Sequence, residues 1–223
     1  MYRLICGTLL IALIASCNVT RVVKPLEKGE SQIGASFGGP GIIFSGAPIP
    51  LPLTSISYAH GLDTGLTVAG GIHTTALLFG NLEADLSLGI RTYESKNGKF
   101  GVTASPGVNL FYGFRGGDFR AYPNLDGIAW WKYSQKDHLL YGGLGTWVEL
   151  RRDKAHGEVQ DNELMPYATL GHQFGGEKWQ WQVEARYIGF NYSNDDIVVD
   201  YFGPFATGTT GIYVGLTRTF GKQ

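Results

Sequence analysis

The chain has 223 residues, 33 of them glycine, with 13 % aromatic and 17 % charged side chains and a formal charge of −1. That balance gives no basic stripe of the kind nucleic-acid binding needs. Glycine at about twice its usual ~7 % share, with abundant Tyr, Trp and Phe and no sustained 3.6-residue pattern, points to many strands.

The first element is a short apolar run. Arg3 gives a positive start, Leu4 to Ile14 the greasy stretch, and the small pair Ala15-Ser16 leads into Cys17. This is the layout of a secretory signal. The run is too short for the roughly 20 residues of a membrane-crossing helix, and an unlipidated secreted protein cut near the same place is the other reading. Ile14-Ala15-Ser16-Cys17 resembles the lipobox of bacterial lipoproteins. The resemblance implies cleavage before Cys17 and acyl chains, palmitate among them, on that residue. Cys6 would then be discarded and Cys17 acylated, leaving no disulfide pair. The polar stretch Val19–Ser31 reads as a tether. The domain reading is therefore a signal over 1–16, a lipidated tether over 17–29 and a barrel over 30–223.

Ten segments of two-residue period follow, near 30–38, 53–61, 65–78, 82–94, 100–113, 119–133, 138–152, 163–175, 179–191 and 209–220. In the fourth, Leu82, Ala84, Leu86, Leu88 and Ile90 alternate with Glu83, Asp85, Ser87, Gly89 and Arg91. Successive strand residues face opposite ways, so each segment has an apolar and a polar face. A soluble sandwich and a membrane barrel both fit that alternation. Three features separate them. The polar faces carry balanced charges, and the segments are long enough for the ~9–11 residues of a tilted membrane strand. Links alternate short and long, with short ones at 61–65, 95–99, 134–137 and 176–178 and long ones at 39–52, 153–163 and 192–207. Tyr93, Tyr112, Tyr133, Trp179, Trp181, Tyr187 and Phe220 fall near segment ends, as interfacial girdles would. Pro106, inside the fifth segment, predicts a bulge because it lacks an N–H.

On these residues the chain resembles small bacterial outer-membrane β-barrels. Gly215 and Phe220 match the C-terminal assembly signal of such proteins, although Arg218 stands where an aromatic is usual. The resemblance implies an all-β, closed, antiparallel up-and-down transmembrane barrel of ten strands, or eight if the first hairpin lies outside the wall. It also implies an outer-membrane location in a Gram-negative envelope, with the Cys17 anchor on the periplasmic side.

Glu83, Asp85, Arg91, Arg120, Asp126, Glu149, Arg151, Glu184 and Arg186, with Lys132, are expected to face the lumen and neutralise one another. Glu83 and Asp85 with His73 form the best candidate for a membrane-embedded hydrolase, since paired carboxyls can activate water. No Asp-x-His or His-x-Ser pattern supports it. No metal ligand set and no cofactor is expected, although Asn194, Asp195, Asp196 and Asp200 offer oxygens to a loosely held Ca²⁺. Barrels of about eight strands are filled by side chains, so Arg120, Trp130, Trp147, Arg151, Arg186 and Tyr213 would leave at most a narrow path. The apolar loops with Ile42, Ile43 and Phe44, and with Val199, Tyr201 and Phe202, are candidate partner contacts or a lid over the mouth. The expected role is a non-enzymatic structural, binding or accessory component of the envelope. Outer-membrane lipids, and in one reading another envelope protein, are its partners. A narrow channel or ligand-binding barrel, and the hydrolase, remain as alternatives.

Overall fold

The computed structural model describes residues 19–134, 138–151, 162–194 and 200–221. Ten strands close into one antiparallel barrel: β1 (Ser31–Phe44), β3 (Thr54–Asp63), β4 (Leu66–His73), β5 (Asn81–Glu94), β6 (Phe100–Gly113), β7 (Phe119–Lys132), β8 (Leu139–Val148), β9 (Leu164–Gly175), β10 (Trp179–Ser193) and β11 (Thr207–Phe220). Each wall strand pairs with the next in sequence, and β11 closes on β1 from Ser31↔Phe220 to Pro40↔Gly211. The count is ten, and the eight-stranded alternative falls because β1 is continuous with the wall on both sides.

The alternation sorts the two faces as expected. On β5, Leu82, Leu86, Leu88 and Ile90 are exposed, while Glu83 is buried at 1 % exposure. In a closed barrel an outward apolar face meets lipid, and the strands cross a bilayer because closure satisfies every ladder hydrogen bond. Exposed aromatics collect at both rims: Tyr93, Phe100, Trp131, Tyr133, Trp179 and Phe220 at one, and Phe44, Phe79, Tyr112, Phe114 and Phe119 at the other. This is the architecture of a bacterial outer-membrane β-barrel.

The first rim holds the tight links, such as Thr64-Gly65 and Gly176 to Lys178. It is the periplasmic rim in barrels of this kind.

Three local expectations are corrected. The third segment, read as strand to 78, ends at His73, and a helix α1 (Thr74–Leu78) follows. Hydroxyls decide it. Thr54 Oγ1 lies 2.6 Å from Thr74 Oγ1 and 2.8 Å from Thr75 Oγ1, pulling the chain over the rim. The long link 39–52 is largely strand, since β1 runs on to Phe44 and turns into β2 (Ala47–Pro50), a hairpin standing on the wall. No bulge sits at Pro106, which pairs with Leu125 in unbroken register. The β5–β6 ladder instead lapses opposite Pro106, between Ser87↔Gly107 and Ile90↔Ala104, and the register shift lies between Arg91 and Tyr93.

Candidate functional site: a lumen occupied by the N-terminal segment

Residues 19–30 do not hang free as a tether. They run through the inside of the barrel, with Val19, Thr20, Val22, Val23 and Glu30 all buried. The segment enters beside the short turns, where Gly29 N–H donates to Gly61 O and Gly61 N–H to Glu30 O, both at 2.9 Å. It climbs past Thr67, whose Oγ1 accepts from Leu26 N–H at 2.8 Å, and Thr103, whose Oγ1 donates to Val23 O at 2.8 Å. Lys24 lies over the buried Trp130 ring at 5.3 Å. Val19 reaches mid-height, packed in one cluster with Leu53, Trp147, Tyr167, Ile188 and Tyr213. A wall of about eight strands can be filled by its own side chains. Two more strands open room for an extended chain, and this sequence fills it with itself.

The wall is shaped for that chain. A Cβ at Gly71 would lie 2.2 Å from Arg21 Nη2, and one at Gly89 would lie 2.4 Å from Val22 Cγ1. Both glycines sit on inward positions where any side chain would collide with the segment.

Two polar clusters hold the upper end. In the first, Arg21 forks onto Asp85, with Nε to Oδ1 at 3.0 Å and Nη2 to Oδ2 at 2.7 Å, and Nη1 donates to Ser55 Oγ at 3.3 Å. His73 closes the other side, Nε2 lying 3.2 Å from Asp85 Oδ2 and Nδ1 3.8 Å from Glu83 Oε1. The bidentate geometry is the strong form of an arginine–carboxylate contact. In the second, Glu184 Oε2 accepts from Thr20 N–H at 3.1 Å and from Tyr141 Oη–H at 2.8 Å, while Arg186 Nε donates to Oε1 at 2.5 Å. Gln182 donates to Thr20 O at 3.1 Å and to Tyr141 Oη at 2.7 Å, and Arg186 Nη2 donates to Thr20 Oγ1 at 3.1 Å. Asp126 accepts from Tyr167 Oη–H and, at 3.2 Å, from Asn124 Nδ2. Arg186 also lies over the Tyr167 and Tyr213 rings.

The ten charges expected to form one lumen network therefore divide by height, with Lys132 half-buried at the short-turn end of β7. Glu83, Asp85, Asp126, Glu184 and Arg186 line the middle and touch the segment or its neighbours. Arg91 pairs with Glu94 at 2.6 Å near the short-turn mouth. Arg120 lies 3.7 Å from Glu149 at the opposite mouth. Arg151 is displaced from the lumen to the half-exposed rim, where it faces Asp118 at 3.9 Å because β8 ends at Val148. Trp130, Trp147 and Tyr213 are buried inside as expected.

At the long-loop mouth the two apolar candidates meet each other. Ile42 bridges to Tyr201, Ile43 N–H donates to Asp200 O at 2.8 Å, and Phe202 N–H donates to Gly41 O at 2.9 Å. Phe44 and Phe202 stay exposed. Cys17, Val199, Asp195 and Asp196 lie outside the described residues.

The residues missed by sequence reasoning are those of the segment, Arg21 above all. A signal was present in Val19, Val22, Val23 and Leu26, four apolar residues at irregular spacing among two cations. No protein-family model and no curated protein matches the chain. Among solved structures, similarity extends to a COG4313 outer membrane channel from Pseudomonas putida F1, at 11 % identity and a TM-score of 0.48 over 89 % of this chain and 98 % of that one. It extends also to the KdgM porin (9 %, 0.44, 85 % and 99 %) and to LpxR from Salmonella typhimurium (8 %, 0.39, 86 % and 99 %). At such identities the likeness concerns architecture and no site residue.

Proposed function

We propose that this protein is a non-enzymatic outer-membrane component of the envelope, a barrel that is shut while its own N-terminal segment is seated and that has Cys17 as a periplasm-facing lipid-modification site when the segment is withdrawn. The observation that carries the closed state is the Arg21–Asp85 fork, with both side chains more than nine-tenths buried. The same fork weighs against the hydrolase reading, because Asp85, one of the two carboxyls a water would need, is taken up by Arg21 and His73. The lipid-facing band makes outer-membrane lipids the first partner. Phe44 and Phe202 offer an apolar contact to another envelope protein.

The anchor and the seated segment are alternatives. Two residues of chain span at most about 7 Å, whereas the edge of a roughly 25 Å apolar band lies about 12 Å from mid-height. With Val19 seated, Cys17 does not reach the inner leaflet. An acylated Cys17 in that leaflet requires Val19 to Val22 to be drawn down out of the wall. Intact-mass analysis of the protein from its native membrane, combined with trypsin, tests this. Acylated molecules should be cut after Arg21 and unacylated ones resist there. Acylated molecules that stay uncut would overturn the exclusion, and absence of acylation would remove the anchor.

A further inference from the structure

We infer that the wall behind the segment is a cation path, and that Arg21 occupies in cis the place of a diffusible guanidinium or alkali cation. The inference rests on reading the segment as a plug that can leave. At the height of Arg21 the inward side chains of the wall comprise four carboxyls, Glu83, Asp85, Asp126 and Glu184, against the single guanidinium of Arg186, with His73 beside two of the carboxyls. At the mouths Arg91–Glu94, Arg120–Glu149 and Arg151–Asp118 are one-to-one pairs, and Lys132 adds one half-buried cation at the short-turn end. The middle is thus acidic once Arg21 is withdrawn. Rings of carboxyls in a low-dielectric tube select cations and exclude anions.

Two further observations point to an occupant. The groove on the wall is cut to the outline of a charged chain, with Gly71 under the guanidinium and Gly89 under the next residue. Beside Arg21 and Asp85 lies a cavity of about 40 Å³, reached also by Asn109, Asn124 and Asp126. Ser105 borders it, 6 % exposed, with its Oγ bonded to no protein group. That space exceeds the ~10–15 Å³ a water needs, and its oxygens suit a water or a hydrated cation handed along the wall.

The test is current through planar bilayers under a KCl gradient. The full chain should be closed. A variant lacking residues 20–28, checked as folded by its faster migration before heating, should conduct, with K⁺ favoured over Cl⁻ by about fivefold or more. Methylguanidinium added to one side should block that current. Adding E83Q and D85N to the shortened chain should bring the K⁺/Cl⁻ ratio towards one and abolish the block. If the shortened chain does not fold, R21E in the full chain serves instead, since it sets a carboxylate against Asp85 and should give intermittent cation-selective openings. Anion-selective or unselective current, or a folded shortened chain that stays closed, would overturn the inference. A full chain that already conducts would instead overturn the closed state proposed above.

Discussion

At the short-turn mouth Arg91 meets Glu94 at 2.6 Å with side chains 15 % and 26 % exposed, while at mid-height Arg21 meets Asp85 at 2.7 Å with 8 % and 9 %. The distances are alike and the surroundings are not. The mouth pair joins two residues of one strand and is partly wet, so its contribution is small. The mid-height pair joins the wall to a segment 64 residues away in sequence, and both of its side chains are more than nine-tenths buried. Pairs of the first kind decorate the barrel; those of the second tie the segment into its lumen.

The strongest way to break that contrast is to remove one side of the buried pair. D85A leaves the Arg21 guanidinium facing a vacancy, which costs about 3–5 kcal/mol for a buried charge stripped of its partner. The segment should leave while the wall persists, seen as trypsin cutting after Arg21 in a protein that still migrates as a folded barrel. A second perturbation uses shape alone. In G89V the new Cβ would sit 2.4 Å from Val22 Cγ1, and overpacking of this kind costs roughly 1–3 kcal/mol. Partial cleavage after Arg21 is the expected outcome, and full protection would mean the groove is loose. Next comes Y141F, which removes a donor to Glu184 and an acceptor for Gln182 at about 1–2 kcal/mol. Hydrogen exchange at the Thr20 amide should quicken several-fold, with the barrel amides unchanged. At the bottom of the scale, R91A should alter neither cleavage nor the unfolding midpoint beyond what about 0.5 kcal/mol produces. A large effect there would erase the distinction between mouth and middle.

The outer surface was legible because lipid imposes one simple rule on every strand. Leu82, Leu86, Leu88 and Ile90 had to share a face, and they do. The short turns and the rim aromatics followed from the same geometry. The lumen was not, for two physical reasons. Charges were balanced over the whole chain, which concealed that Arg91, Arg120 and Arg151 sit at the ends and leave the middle acidic. A segment such as Val19 to Gly29 has no periodicity of its own either, because it follows a curved wall and bonds through its backbone to Thr67, Thr103 and Glu184. Irregular spacing then reads as a tether. At α1 the run Ala76-Leu77-Leu78 reads as the end of a strand, and the hydroxyls of Thr54, Thr74 and Thr75 turn it over the rim as a helix instead.

Seating Val19 at the centre of the cylinder has a practical side for anyone handling the protein. A peptide epitope, dye or fluorescent fusion spliced just ahead of that residue becomes a wedge inside the tube and would report on a distorted molecule. The turn from Ser95 to Lys99, whose Asn97 and Lys99 lie at the surface, is the better place to attach a handle.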